Sequence, residues 1–401
     1  MELKETVCYL NSNDGSGILT FGEKQRLRID SQEALEQLQD FITENPNEYI
    51  FGYLSYDLKN EIENLSSSNS DQLNFPSLFF WVPTHVIGLK NENFTFLQGE
   101  KNEASFNFIS YFMEEETDRN FHQFKYDFKP RTSKEKYLET LLKIKDSIQR
   151  GDIYEVNYCQ EFYCENVEIN YPLDVYFKLN ELTKAPFSSF LHVDEYSMFC
   201  GSPERYLEKK DGRLRSQPIK GTAPRSNDPE TDKQLKEALQ HNEKERAENI
   251  MIVDLVRNDL SKIAQAKSVK VDELCQIYSF ENVHQMISTI SCIPKEDASF
   301  TDIIRATFPM GSMTGAPKLK AMEIIEQSED FKRGLYSGSV GYISPNGDFD
   351  FNVVIRSLLF NEHTKYLSCS VGGAITIQSI PEDEYQECLT KVKRILDGLH
   401  A

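Results

Sequence analysis

The strand-like segments of this 401-residue chain occur in pairs joined by short turns, and helical segments separate one pair from the next. Tightly connected strands run antiparallel, whereas a parallel sheet needs a long crossover between one strand and the next. The pattern therefore predicts antiparallel α+β layers rather than a parallel nucleotide-binding sheet, and no phosphate loop or Gly-x-Gly-x-x-Gly motif is present. The predicted strands are 153–165, 188–218, 335–343, 349–360 and 365–378, and the predicted helices are 172–184, 229–259, 300–306, 316–328 and 381–399.

Charge and composition restrict the possible partners. The formal net charge of −20 repels nucleic acid and anionic membrane surfaces. No run of about 18 apolar residues occurs, and the charged start Met1–Thr6 is unlike a signal peptide. The eight cysteines lack the spacing of a zinc site, so reduced, mostly buried thiols are expected. We expect a soluble cytoplasmic protein with no nucleic-acid or membrane partner.

One lysine stands in an unusual place. Residues 204–225 are typical of a strand, a turn at Asp211–Gly212 and a returning strand that ends at Lys220, between an isoleucine and a glycine. The hairpin places Lys220 at the same end as Glu204. A lysine with a shifted pKa can act as an amine nucleophile, and a nearby carboxyl can transfer protons. A surface ion pair between the two strands is the structural alternative.

A helical segment, His241–Asp259, carries carboxylates on its apolar face. With 3.6 residues per turn, Glu248 falls in the middle of the apolar arc and Glu245 falls inside it. Buried carboxylates need a cation or protons, and oxygen ligands without His or Cys favour Mg²⁺. An internal ion pair is the alternative. The C-terminal helix repeats the spacing with Glu384 and Glu387, which its periodicity predicts to be exposed.

Other candidate positions carry weaker signals. The turn Met310–Met322 has the pattern of a helix start capped by Thr314 or Gly315, where free N–H groups suit a carboxylate. A second small-residue turn, Ser370–Thr376, permits close approach of a ligand to the backbone. Three polar residues in strand-like or apolar segments are structural by default: Tyr336, Arg356 and His284.

Together these segments resemble the chorismate-utilising enzymes. The resemblance covers roughly residues 131–397, while residues 1–130 match more loosely, most clearly at Gly52–Asp57. It implies a four-layer α/β/β/α core of orthogonally packed antiparallel sheets, with a variable N-terminal region 1–130 packed on a catalytic region 131–401. The motifs that carry it are Gly151–Asn157, Ser202–Arg205, Pro218–Thr222, Glu245–Asp259, Gly311–Lys318, Tyr336–Tyr342 and Gly372–Ala374.

The resemblance also implies roles for individual residues. Glu248 and Glu387 would bind Mg²⁺, supported by Glu245 and Glu384, against the exposed position that periodicity predicts for Glu387. Glu204 would be the general acid for the leaving ring hydroxyl. His284 would orient the ring. The residues implied to bind chorismate are Gly221, Thr222, Ser312, Thr314, Tyr336, Arg356, Gly372, Gly373 and Lys391.

Two positions separate functions within that family. Lysine in Pro-Ile-Lys-Gly-Thr is typical of the members that aminate chorismate at C4, so Lys220 would add to ring C2 before ammonia attacks C4; anthranilate synthases carry alanine there. For this the amine must be neutral, and burial beside Mg²⁺ is expected to lower its pKa. Glu155 stands where water-using isochorismate and salicylate synthases place lysine and where the aminating enzymes commonly have glutamine; its role is left open.

The resemblance therefore implies a magnesium-dependent enzyme that forms 4-amino-4-deoxychorismate for para-aminobenzoate and folate synthesis. Ammonia would come from a separate glutaminase subunit. Anthranilate synthase component I is the same-fold alternative, and isochorismate or salicylate synthase is a weaker one. A non-catalytic ligand sensor is a further alternative, which the presence of Lys220, Glu204, Glu248 and Glu387 disfavours.

Overall fold

A computed structural model describes residues 5–30, 33–91, 93–117, 124 and 126–400. The strands are β1 Val7–Asn11, β2 Ser16–Ile29, β3 Ile50–Leu54, β4 Leu78–Lys90, β5 Asn93–Gln98, β6 Lys129–Pro130, β7 Glu155–Cys164, β8 Phe187–Val193, β9 Tyr196–Ser202, β10 Arg205–Lys210, β11 Arg213–Gln217, β12 Ile219–Pro224, β13 Lys270–Ser279, β14 Val283–Cys292, β15 Gly315–Ala316, β16 Ser339–Ile343, β17 Phe349–Asn352, β18 Ser357–Asn361 and β19 Tyr366–Ile375. The helices are α1 Ala34–Glu44, α2 Lys59–Ile62, α3 Glu103–Thr117, α4 Lys134–Arg150, α5 Pro172–Thr183, α6 Pro229–Gln240, α7 Glu243–Ile263, α8 Phe300–Thr307, α9 Lys318–Ser328 and α10 Pro381–His400. Among the helices in these ranges, none is long and apolar enough to cross a membrane.

The strands form one continuous antiparallel sheet, which has two arms. The first arm runs β3, β16, β17, β10, β11 and β14, with β12 and β13 also paired to β14. The second arm runs β1, β8, β9, β18, β19 and β7. The long strands β2 and β4 join the arms, because β4 pairs with both β3 and β2, and β2 pairs with β1. The predicted antiparallel α+β fold is confirmed.

Helices cover the two arms separately. One cluster of buried side chains groups α1, α7 and α8 with the first arm and includes Trp81, Ile290 and Phe351. The other groups α3, α4, α5, α9 and α10 with the second arm and includes Phe199 and Cys369. Burying one apolar stripe of each helix against one face of a sheet supplies most of the stability of such layers. The cleft between the arms is left for polar side chains.

Local elements agree with their sequence signals in most places. Ser133 caps α4 by accepting a hydrogen bond from the Lys136 N–H, and Gly151 ends the helix at φ 83°. Asp211 and Gly212 both have positive φ in the turn between β10 and β11, as a two-residue hairpin requires.

Two expected elements differ in the structure. The helix predicted over 229–259 is divided into α6 and α7, because Asn242 caps a new helix by accepting the N–H of Glu245. The helix that follows the glycine-rich turn, Gly311–Gly315, begins only at Lys318. It begins late because Gly315–Ala316 forms strand β15, which pairs with β7. The predicted helix start at Thr314 or Gly315 is therefore wrong.

Candidate active site

A cavity of about 500 Å³ opens between the two arms, where the first turns of α7 and the first half of α10 meet β12 and β19. Most of the side chains singled out in the sequence line it. Those that the structure brings together are Glu204, Lys220, Gly221, Thr222, Glu245, Glu248, Ser312, Tyr336, Arg356, Gly372, Gly373, Glu384, Glu387 and Lys391.

Two of the residues expected in the cavity lie elsewhere. The ring of His284 is buried between Asp232 (3.0 Å to Nε2) and Ser279 (2.9 Å to Nδ1), so it fastens α6 to the sheet. Because side chains alternate along a strand, the cavity receives the next residue, Gln285, whose buried Oε1 has no hydrogen-bond partner. Thr314 turns away from the cavity and donates its hydroxyl to the Met310 carbonyl at 3.2 Å.

A bulge in β12 directs Lys220 into the cavity. The pairing with β14 shifts register between Ile219 and Thr222, and Gly221 takes φ 81°. A bulge re-aims side chains in this way, and the left-handed conformation favours glycine. A Cβ at Gly221 would also lie 3.0 Å from Glu245 Oε2, so the glycine lets α7 approach the strand closely.

Lys220 is held by Glu155. Its Nζ donates to Glu155 Oε1 at 3.1 Å, and the side chain of Glu155 is 1% exposed. Burial alone lowers the pKa of Lys220, but the carboxylates of Glu155, Glu248 and Glu204 outweigh it and raise that pKa above the ordinary value. These carboxylates therefore favour the charged form of Lys220, and the lowered pKa expected beside Mg²⁺ stays a prediction.

Glu204 lies in the short connection between β9 and β10 and is only 5% exposed. Its backbone is fixed by hydrogen bonds from the Val353 N–H to its carbonyl (3.0 Å) and from its own N–H to Ser202 Oγ (3.2 Å). Burial raises the pKa of Glu204 to about 7, while Ser312 and Lys220 act in the opposite direction. The carboxyl is therefore partly protonated at neutral pH, which suits a general acid.

Four carboxylates from two helices face the cavity. Glu248 is buried, as its place in the apolar arc predicts, and burial raises its pKa to about 7, with Lys220 acting against it. Glu384 is 4% exposed, so the exposed position predicted for it is wrong. The side chain of Glu387 is 48% exposed, as periodicity predicts, yet it borders the cavity at its open side. Periodicity fails for Glu384 because Lys244 of α7 and Gly373 of β19 lie against that side of α10.

Two lysines neutralise part of this negative charge. Lys244 Nζ lies 3.3 Å from Glu384 and 3.9 Å from Glu248. Lys391 Nζ lies 2.7 Å from Glu387 and donates to the Gly372 carbonyl at 2.9 Å. One acceptor, Glu248 Oε1, is buried without a hydrogen-bond partner. In these side-chain positions, no three His, Cys, Asp or Glu residues of the described chain form a ready metal cluster.

Arg356 supplies a cation on the opposite wall. It lies between β17 and β18 at φ 50°, and no hydrogen bond or ion pair to its guanidinium is found within the described residues. Burial, with a smaller contribution from Arg394, lowers the pKa of Arg356 to about 10, which still leaves it charged at neutral pH. An unpaired, half-buried cation of this kind suits an anionic ligand such as a carboxylate.

An interior ion pair that the sequence patterns did not reveal supports three walls of the cavity. Arg333 donates to Glu329 (2.6 and 2.9 Å), to the Met313 carbonyl (2.7 Å) and to the Asn157 carbonyl (2.8 Å). Glu329 also accepts the backbone N–H of Cys159 at 2.9 Å. The spacing of four residues between Glu329 and Arg333 was the only local signal. Their hydrogen bonds tie β7 and the glycine-rich turn to the loop that carries Tyr336.

Comparison with known proteins agrees with this geometry. The model of the chorismate binding enzyme family matches residues 5–397, so the chain belongs to that family. Aminodeoxychorismate synthase component 1 of Escherichia coli (strain K12) is 32% identical over 404 residues, covering 98% of this chain and 88% of that protein. The Salmonella typhimurium (strain LT2) protein of the same name is 41% identical over 266 residues, covering 66% of this chain and 57% of that protein. Among solved structures, anthranilate synthase component I of Streptococcus pneumoniae TIGR4 superposes with a TM-score of 0.81 at 26% identity, covering 95% of this chain and 92% of that one.

Proposed function

We propose that this enzyme aminates chorismate at C4 to give 4-amino-4-deoxychorismate, with Lys220 as a transient covalent nucleophile. The observation that carries the proposal is the amine of Lys220 inside the cavity of a chorismate-binding enzyme, close enough to the carboxyl of Glu204 for the two charges to interact. An amine that adds to the ring and an acid that protonates the leaving hydroxyl are the two groups such a displacement needs. The E. coli and Salmonella relatives carry the corresponding name.

The remaining cavity residues fit binding of a dicarboxylate. Arg356 would pair with the enolpyruvyl carboxylate, helped by Tyr336 and by the backbone at Gly372 and Gly373. At Gly373 a Cβ would come within 3.5 Å of Glu384, so the missing side chain keeps space between β19 and α10. Ser312, whose hydroxyl lies beside the carboxyl of Glu204, would serve as a further polar contact.

The carboxylates of α7 and α10 fit Mg²⁺. Their donors are all oxygen, and the buried Oε1 of Glu248, which accepts no hydrogen bond, is available to a cation. Glu248 and Glu387 would hold the ion, with Glu245 and Glu384 beside them. When bound, Mg²⁺ neutralises the ring carboxylate and withdraws electrons from the ring. Lys244 and Lys391 would give up their pairing with these carboxylates.

Ammonia would come from a separate glutaminase subunit. The words "component 1" in the names of the relatives are consistent with a second subunit. All eight cysteines are free and buried, which agrees with a reducing, cytoplasmic setting.

Anthranilate synthase component I is the second candidate, favoured by the structural similarity to the Streptococcus protein. Product analysis with chorismate, Mg²⁺ and ammonium separates the two: 4-amino-4-deoxychorismate supports the proposal, and anthranilate formed without an added lyase rejects it. In the same assay Lys220→Ala should bind chorismate but lose most amination at C4, whereas Glu204→Gln should slow every product by about 10² to 10⁴. Normal C4 amination by Lys220→Ala would show that the lysine is structural.

A further inference from the structure

The side chain of Glu155 is buried, but it contributes neither to the proposed substrate contacts nor to the candidate metal site. It is the first residue of β7, and its strand is clamped by β15, where Tyr154 N–H donates to the Ala316 carbonyl at 2.7 Å. The preceding residue, Tyr154, points to solvent, so the alternation of the strand turns Glu155 inward. Glu155 does not line the cavity itself; it lies behind Lys220.

Among the described residues, Lys220 is the one hydrogen-bond partner of the Glu155 side chain. Oε1 accepts from Lys220 Nζ at 3.1 Å, and Oε2 is buried without a hydrogen-bond partner. A buried carboxylate with one partner and one free oxygen costs free energy that a purely structural ion pair has no reason to retain. The charged groups that face Lys220 from the surrounding elements are Glu155 of β7, Glu204 before β10, Glu245 and Glu248 of α7, and Glu387 of α10.

These carboxylates are not equivalent as proton acceptors. Glu245, Glu248 and Glu387 belong to the candidate metal site, and Glu204 must itself give a proton to the leaving hydroxyl. Among the described residues, Glu155 is the one carboxylate within hydrogen-bond distance of Nζ. We infer that Glu155 is the general base that takes the proton from Lys220 and so makes its amine nucleophilic. This inference rests on the proposed function, because it requires the lysine to attack the ring.

The proton and electron count of the step balances. The proton moves from Lys220 Nζ to Glu155, and the freed electron pair bonds to ring C2. The two ring double bonds shift, the C4–O bond breaks, and the oxygen leaves as water with the proton of Glu204. Ammonia then bonds to C4, the double bonds return, and the C2–N bond breaks with its electron pair remaining on Nζ. The neutral lysine takes its proton back from Glu155, and the new C4 ammonium reprotonates Glu204.

The test measures formation of the Lys220 adduct by rapid quench and mass spectrometry of the intact chain, with chorismate and Mg²⁺ but no ammonia. Glu155→Gln can still accept the hydrogen bond but cannot hold the proton. We expect its adduct to form about 100-fold more slowly at pH 7. Its rate should rise about tenfold per pH unit as free amine appears, up to about pH 7, above which loss of the Glu204 proton offsets that gain. Wild type should show a flat profile only below about pH 7 and slow above it as Glu204 loses its proton, so the ratio of the variant rate to the wild-type rate should rise about tenfold per pH unit throughout. Chorismate affinity should be unchanged, which separates this role from binding.

Two further variants complete the design. Glu155→Asp retains a carboxylate and should keep the wild-type pH profile at a reduced rate. This variant also keeps the test informative if the glutamine variant does not fold. Glu168→Gln removes a carboxylate from an exposed ion pair with Lys365 and should match wild type. Equal rates and equal pH profiles in wild type and Glu155→Gln would overturn the inference while leaving the proposed function intact. No adduct and no C4 amination in wild type would overturn the proposed function itself.

Discussion

The burial of Glu204 predicts a measurable dependence of stability on pH. Its pKa is raised from an ordinary 4.5 to about 7. Between these values the unfolded chain has lost the proton that the folded chain still holds, so the free energy of unfolding falls as the pH rises. One pKa unit corresponds to about 1.4 kcal/mol, so this carboxyl alone removes about 3 kcal/mol by pH 7 to 8. Below pH 4.5 both states are protonated and the penalty vanishes.

The variant Glu204→Gln isolates this effect, because glutamine has the same shape and no charge. Urea unfolding of both proteins from pH 4.5 to 8 in EDTA should show the variant gaining about 3 kcal/mol relative to wild type as the pH rises. Glu387→Gln is the control of opposite sign. Burial would raise the pKa of Glu387, but Lys391, Lys244 and Lys220 lower it below 4.5. This variant should therefore lose stability relative to wild type as the pH rises through the range below about 4.5, and the difference should stay nearly constant from pH 4.5 to 8. A stability difference between Glu204→Gln and wild type that stays constant with pH would refute the reasoning.

Three further predictions concern charges around the cavity. Lys244→Met removes the ammonium near Glu384 and Glu248, so calorimetry without substrate should show Mg²⁺ binding about two- to fivefold more tightly; unchanged affinity would mean that Lys244 does not compete with the metal. Arg333→Gln leaves a buried carboxylate unpaired and should lower the free energy of unfolding by about 3 to 5 kcal/mol in urea titrations, whereas a loss below about 1 kcal/mol would contradict the assigned network. Arg356→Gln should raise the dissociation constant of chorismate by at least about tenfold with the fold intact, and wild-type affinity would exclude this arginine from carboxylate binding.

Local periodicity predicted the parts of the site that depend on one element. Glu248 is buried because its neighbours on the same helix face are apolar, and that pattern is contained in a few turns of sequence. The hairpin at Asp211–Gly212 follows equally from its turn residues. Periodicity alone did not predict the chorismate-utilising fold or most of the cavity residues. They were predicted from the order of several motifs along the chain.

The parts that sequence reasoning missed depend on contacts between distant segments. Glu384 is buried by helix α7 and strand β19, which its own helix cannot reveal. Whether His284 or Gln285 lines the cavity depends on which face of β14 is turned towards it. The register of the sheet determines that face. The raised pKa of Lys220 likewise follows from Glu155, a residue 65 positions earlier that meets it only after folding.

The pairing of β3 with β16 has a consequence for synthesis of the chain. Gly52 lies opposite Gly341, so the backbone groups on this edge of β3 stay unpaired until β16, almost 290 residues downstream, has been synthesised. At about 5 to 20 residues per second, the ribosome needs about 15 to 60 s to supply it. During that interval an apolar strand edge is open to other chains, which is the condition under which nascent proteins aggregate or require chaperones. Slower translation of the C-terminal half should therefore lower the soluble yield of this enzyme more than slower translation of its first 50 residues.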